Sequence, residues 1–168
     1  RGAFEYQGQK CSAMSRAYIP STIWSSVKEM YVKQVNEIKV GDPEDFSNFM
    51  NAVIDRPAYE SIKKYIDDAS AAPDVEIITG GKYDDSIGYF IEPTTIVCTD
   101  PKYKTMCEEI FGPVLSIYVY DPAEWDNILD LIDETSEYAL TGCVISEDQQ
   151  AIADSKKALT LPAGNFYI

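Results

Sequence analysis

Apolar positions in the first half of the chain switch between two periods. Arg16-Ala17-Tyr18-Ile19 is a short extended run closed by Pro20, and Ser21 stands where a cap opens a helix. Behind it, Ile23, Val27, Tyr31, Gln34 or Val35, and Ile38 recur at helical spacing. Gly41-Asp42-Pro43 ends that helix, and residues 41–54 read as a loop with apolar anchors. Asp55 with Pro57 opens a second helix, with Tyr59, Ile62, Ile66 and Ala69 on one face. Val75 to Thr79 predicts a strand, ended by the turn Gly80-Gly81.

The second half repeats the alternation. Tyr89 to Thr99 is extended but interrupted by Pro93, which predicts an edge position or a bend. Val114-Leu115-Ser116-Ile117-Tyr118-Val119-Tyr120 is almost continuously apolar, as suits a strand buried on both faces. Pro122 marks a helix start, and Trp125, Ile128, Leu129 and Ile132 form the helical face. A strand over Leu140–Ser146, a helix over residues 148–160 and a strand over Gly164–Ile168 complete the pattern. Strands alternating with helices predict an α/β fold, a parallel sheet covered by helices on its faces. There is no internal repeat and no low-complexity segment.

Composition narrows the chemistry. The 168 residues suffice for one domain with a real core. A net charge of −14 argues against nucleic acid or an anionic membrane as the main partner. No apolar stretch approaches the roughly 20 residues of a membrane-spanning helix, and Arg1-Gly2-Ala3-Phe4-Glu5 lacks the apolar run of a signal peptide. Four cysteines, Cys11, Cys98, Cys107 and Cys143, form no CxxC pair, and there is no histidine, so no metal site is expected. Widely spaced cysteines in an apolar-rich chain fit a reducing compartment, with three of the four as plain core residues. The abrupt start at Arg1 and the apolar end Asn165-Phe166-Tyr167-Ile168 read as cuts through a larger protein.

Without histidine, neither a Cys–His pair nor a Ser–His–Asp triad can be assembled. Cys11, in Gly8-Gln9-Lys10-Cys11-Ser12-Ala13, is nonetheless a candidate nucleophile, since the glycine and the neighbouring cation suit a reactive thiol. The alternative is a buried, inert cysteine. Glu108-Glu109-Ile110-Phe111-Gly112-Pro113-Val114 is the second informative run. It is either a polar loop entering the buried strand or a site where a carboxylate binds a sugar diol and Phe111 meets a planar ring. No GxGxxG, GxxxxGK[ST] or HExxH motif occurs.

The pair Phe4-x-x-x-Gly8-Gln9-x-Cys11-x-Ala13-x-x-Arg16 and, roughly a hundred residues later, Glu108-Glu109-Ile110-Phe111-Gly112-Pro113 resembles the catalytic domain of the NAD(P)-dependent aldehyde dehydrogenase superfamily. The resemblance covers residues 1–168 and implies that domain's three-layer, parallel-sheet fold. Glu5-Tyr6-Gln7-Gly8-Gln9-Lys10-Cys11-Ser12-Ala13, Lys39-Val40-Gly41-Asp42-Pro43, Gly88-Tyr89-Phe90-Ile91-Glu92-Pro93 and Ala163-Gly164-Asn165-Phe166-Tyr167-Ile168 resemble the branch that oxidises glutamate γ-semialdehyde in proline breakdown. A branch acting on another aldehyde, or a non-catalytic fragment, is the alternative. A thiol redox or acyl-transfer domain would need a resolving cysteine near Cys11, and none is there.

The resemblance implies roles residue by residue. Cys11 matches the nucleophile that forms a thiohemiacetal and then a thioester, with its own backbone N–H helping to hold the oxyanion. Glu109 matches the acid on the nicotinamide ribose, with Glu108 as the alternative register, and Phe111 matches the ring contact beside it. Ser12 is either a contact for the substrate carboxylate or a capping serine. Lys10 either favours the thiolate or is simply solvated, and Arg16 receives no role. NAD is the implied cofactor, a small aldehyde the partner, and the mitochondrial matrix the location in eukaryotes, otherwise the cytoplasm. Family members are homo-oligomers.

The family's hydrolytic glutamate and oxyanion asparagine lie upstream of the cysteine, beyond the ten residues that precede Cys11 here. Its substrate-anchoring loop lies past the position of Ile168. The expectation is a truncated catalytic domain, without its dinucleotide-binding domain or that anchor, inactive by itself.

Overall fold

The computed structural model describes residues 1–168. A 3-10 turn at Glu5–Gly8 leads into β1 (Arg16–Pro20) and α1 (Ser21–Asn36), followed by α2 (Arg56–Ala71) and β2 (Val75–Thr79). Two short strands, β3 (Tyr83–Asp84) and β4 (Phe90–Ile91), precede β5 (Thr94–Cys98) and the one-turn helix α3 (Lys104–Cys107). Then come β6 (Val114–Tyr120), α4 (Trp125–Glu134), β7 (Thr141–Cys143), α5 (Gln149–Leu159) and β8 (Asn165–Tyr167).

The main sheet has the order β1-β6-β5-β2. β6 lies inside it, parallel to β1 (Arg16 opposite Ser116) and to β5 (Thr94 opposite Val114). Its alternating side chains build both apolar layers, as the continuous apolar run predicts. Leu115, Ile117 and Val119 pack with Trp24, Tyr31 and Val35 of α1 on one face. Val114 and Tyr118 pack on the other, with Tyr59, Ile62, Ile66 and Ala69 of α2. This is the three-layer α/β arrangement expected. Each fully buried Ile or Leu in these layers contributes about 1.5–3 kcal/mol.

Helix α2 follows its sequence signals closely. Asp55 caps it by accepting from Ala58 N–H at 2.9 Å, Pro57 sits in the first turn, and the four predicted apolar residues are its buried ones. Helix α1 departs from its signals. Ser21 is already helical, and Pro20 occupies the cap position with no side-chain bond. Ile23 is 50% exposed, and the packed stripe runs through the half-buried Trp24 and Tyr31 to the buried Val35 and on to Ile38 beyond the helix. The indole offers more apolar area than Ile23, so the helix turns that side to the sheet.

Strand β2 runs antiparallel to β5 at the sheet edge, with Val75 opposite Cys98. A parallel pair needs a crossover, commonly a helix, but only the small β3–β4 ribbon separates these strands. Gly80 and Gly81, both at positive φ, form the predicted turn out of β2. Pro93 marks the bend between β4 and β5, and β5 is an interior strand. β7 and β8 pair in parallel as a separate two-stranded sheet, packed through Phe166 on a third cluster with Ile128, Leu129 and Leu159. Only Cys98 is buried; Cys107 is half-buried and Cys143 exposed, which corrects the expectation of three core cysteines. No helix is long and apolar enough to cross a membrane.

Candidate active site

Tyr6, Gln7 and Gly8 all adopt left-handed backbone, with φ of 57°, 58° and 66°. For the two non-glycine residues this conformation costs on the order of 1–2 kcal/mol each. The buried Gln7 amide holds the turn in place. Its Nε2 donates to Asn51 Oδ1 at 2.8 Å and to the Ala52 carbonyl at 3.1 Å, while its Oε1 accepts from Asn51 N–H at 3.2 Å. Gln9 Oε1 accepts from Ile54 N–H at 3.0 Å. Two glutamines thus fasten the segment before Cys11 to the loop that leads into α2.

The next four residues form a β-turn closed by Ala13 N–H donating to the Lys10 carbonyl at 3.0 Å. Cys11 and Ser12 are its central residues, and both are exposed. Neither backbone N–H at these positions has a main-chain acceptor, so the Cys11 N–H is free to meet an oxyanion. Lys10 does not stand free beside the thiol: its Nζ pairs with Glu5 Oε2 at 2.9 Å, and that bond holds the Glu5 carboxyl below its usual range.

The acidic run comes to the same place. Its two carboxylates have different surroundings. Glu108 Oε2 accepts a 2.5 Å hydrogen bond from the Tyr65 hydroxyl of α2, and that bond pushes Tyr65 up to about 12. Glu109 has no hydrogen-bond or ion-pair partner and lies exposed. Phe111 is held at φ 52° and is 43% exposed. A phenylalanine in left-handed backbone with an accessible ring spends stability on position rather than on core packing. These contrasts favour Glu109 over Glu108 as the carboxylate free to receive a ligand.

Gly8 joins the two segments. A Cβ at this position would lie 2.2 Å from the Gly112 carbonyl oxygen, so only glycine lets the two backbones meet. Beneath the turn is a small cleft lined by Gly8, Lys10, Ala13, Glu109 and Phe111. Glu109 also lines an open cavity of about 610 Å³ with Cys107, Glu108, Glu134 and Glu137. Four carboxylates on that cavity disfavour a phosphate there, whereas hydroxyl donors such as a ribose diol suit an unpaired carboxylate. Glu109 with the accessible Phe111 ring therefore fits the ribose and ring of a nicotinamide nucleotide.

Lys10 and Ala13 thus line the cleft with Glu109 and Phe111, and Cys11 and Ser12 lie exposed on the turn between them. Ser12 makes no side-chain hydrogen bond within the chain, so the capping role is not the one it plays here. Arg16 reaches across to the Met106 carbonyl at 3.5 Å and the Tyr138 carbonyl at 3.3 Å, a structural tie at the foot of the sheet. Sequence reasoning did not find Gln7, Gln9 or Tyr65. Gln7 and Gln9 flank the motif glycine, but their partners lie 44 and 45 residues away and leave no local signal.

Burial separates the cysteines chemically. Cys98 is buried against Thr105, and burial pushes its thiol up to about 11. Alkylation with iodoacetamide at pH 8 is expected to label the exposed Cys11 and Cys143 first. Cys98 is expected to lag by about a hundredfold, in line with its thiolate fraction. Peptide mass spectrometry over time reads this order, and a Cys98 as fast as Cys11 would contradict the packing described.

Comparison with known proteins follows the same lines. A sequence model described as the aldehyde dehydrogenase family matches residues 1–168. The mitochondrial delta-1-pyrroline-5-carboxylate dehydrogenase of Dictyostelium discoideum is 55% identical over 168 residues, covering 100% of this chain and 30% of that protein. The human mitochondrial enzyme of the same name is 48% identical over 169 residues, with the same two shares covered. A crystal structure of the Delta-pyrroline-5-carboxylate dehydrogenase from Mycobacterium tuberculosis bound with NAD matches at a TM-score of 0.90 and 44% identity, covering 99% of this chain and 30% of that one. The chain spans 30% of the length of each of these relatives.

Proposed function

The chain belongs to the aldehyde dehydrogenase family, and we propose on that premise that it supplies the nucleophile-bearing domain of an enzyme oxidising glutamate γ-semialdehyde to glutamate. One observation carries the proposal: the Cys11 turn and the Glu109–Phe111 loop meet backbone to backbone at Gly8 and Gly112. Lys10 and Ala13, the residues on either side of the Cys11–Ser12 pair, then line one cleft with an unpaired carboxylate and an accessible ring.

Cys11 Sγ, as thiolate, attacks the aldehyde carbon, and the carbonyl oxygen becomes an oxyanion facing the free Cys11 N–H. NAD, when bound, would supply the acceptor for the hydride that the thiohemiacetal carbon loses on becoming a Cys11 thioester. Glu109 would hold it by accepting from the ribose hydroxyls, and Phe111 would present its ring to the nicotinamide. Ser12, exposed and unbonded next to the nucleophile, donates to the substrate carboxylate. Water then cleaves the thioester, releasing the acid and the Cys11 thiol; the base for this step comes from outside these 168 residues. The Dictyostelium and human relatives are mitochondrial by name, which supports a matrix location.

The test measures NADH formation by the complete enzyme carrying this chain. Glutamate γ-semialdehyde is expected to be preferred over simple aliphatic aldehydes in kcat/KM, and the 168 residues alone are expected to form no NADH. Equal kcat/KM for a short aliphatic aldehyde would assign a different branch of the family. Turnover by the 168 residues alone would show that the missing base and cofactor domain are not needed.

A further inference from the structure

We propose that Tyr65 is a positioning residue for the cofactor site: by holding Glu108 it sets the direction in which Glu109 faces. The proposal rests on the reading of Glu109 as the ribose carboxylate.

Helix α2 brackets the whole acidic loop. Tyr65 donates to Glu108 at the start of the loop, and Ile62, one turn away on the same face, lies against Gly112 at its end. A Cβ on Gly112 would come within 2.5 Å of Ile62 Cδ1, so contact at that end is already as close as a glycine permits. Between these points Ile110 is buried in the cluster that contains Ile62 and Ile66. Residues 108, 110 and 112 therefore meet α2, while Glu109 and Phe111 are exposed, Glu109 on the open cavity that Tyr65 and Glu108 also line.

The bond from Tyr65 falls where restraint is most needed. The one-turn helix α3 is too short to fix its own geometry, and the backbone turns extended at Glu108, with φ −98° and ψ 150°. Three residues later the chain must reach the left-handed conformation of Phe111. A second contact locks Tyr65 itself. Lys104 Nζ lies 5.2 Å from its ring centroid and pairs with Asp68, one turn along α2. Tyr65 and Asp68 of α2 thus hold Glu108 and Lys104, four residues apart across the end of α3, and of these two polar contacts only the Tyr65–Glu108 bond acts directly on the loop.

Tyr65→Phe removes the hydroxyl and leaves the ring over Lys104. In the 168-residue chain, hydrogen–deuterium exchange is expected to accelerate at least threefold in peptides spanning residues 108–112 and to stay unchanged in β6. Unchanged exchange in the loop would overturn the proposal without touching the reading of Glu109. In the complete enzyme, the variant is expected to raise both the Kd and the KM for NAD about three- to tenfold, with kcat within twofold of the parent. Glu108→Ala should give the same rise, and the double variant no further rise, because both act through one bond. A fall in kcat with an unchanged Kd for NAD also overturns the proposal. A parent enzyme that binds no NAD overturns the reading of Glu109 and this proposal together.

Discussion

Replacing Gly8 with alanine is expected to destabilise the chain by about 2–4 kcal/mol and to lower the activity of the complete enzyme by roughly a hundredfold. Two effects add. The residue sits at φ 66°, where alanine carries a penalty of about 1–2 kcal/mol that glycine does not. The new methyl would also lie 2.2 Å from the Gly112 carbonyl oxygen, 2.8 Å from its carbon and 2.9 Å from the Ala3 carbonyl oxygen. These are main-chain atoms, so no side chain can swing aside; the backbones must part, at a further cost of about 1–2 kcal/mol. A thermal scan should show the melting temperature lowered by about 5–15 °C. Parting moves the Cys11 turn away from Glu109 and Phe111, and a displacement of about 1 Å is enough to lose roughly a hundredfold in rate. Gly2→Ala is the matched control, since nothing lies within 4 Å of a Cβ there. A Gly8→Ala protein that melts with the Gly2→Ala control and keeps its activity would remove the basis for the cleft described.

The candidate site residues were legible because their types are unusual for their context. A cysteine two residues after Gly-Gln, and adjacent acids before Ile-Phe-Gly-Pro, stand out even in an isolated chain. The apolar face of α2 and the buried strand β6 were legible for another reason: their periodicity is local and their burial nearly complete. What stayed hidden depended on distant partners. In α1 the predicted Tyr31, Val35 and Ile38 do pack toward the sheet, but Ile23 was misplaced at the start of the stripe, because Ile23 and Trp24 both fit a helical period and only the shape of the sheet face selects the indole. The direction of β2 depends on what lies between it and β5, and β3 and β4, two residues each, leave almost no pattern. Tyr65 reads as one more aromatic on an amphipathic helix until Glu108, 43 residues on, is placed beside it.

Changing Cys11 to serine is expected to lower aldehyde oxidation by the complete enzyme by at least about 10⁴-fold, the scale of losses seen when a covalent nucleophile is removed. The argument is one of acidity and geometry together. Serine puts an oxygen where the sulfur stands, so the turn closed by Ala13 N–H and the Lys10 carbonyl is preserved. A hydroxyl has almost no alkoxide at neutral pH, and no histidine is present anywhere in the chain to take its proton. Lys10 offers no substitute, since its ammonium is paired with Glu5. Stability should change by less than about 0.5 kcal/mol, because the side chain is exposed. NAD affinity should also hold, since Glu109 and Phe111 lie on a separate segment fastened to α2. Loss of rate with melting temperature and NAD affinity both intact would identify Cys11 as the group that forms the covalent bond. Serine turnover within tenfold of the parent would falsify that role and move the nucleophile to another residue.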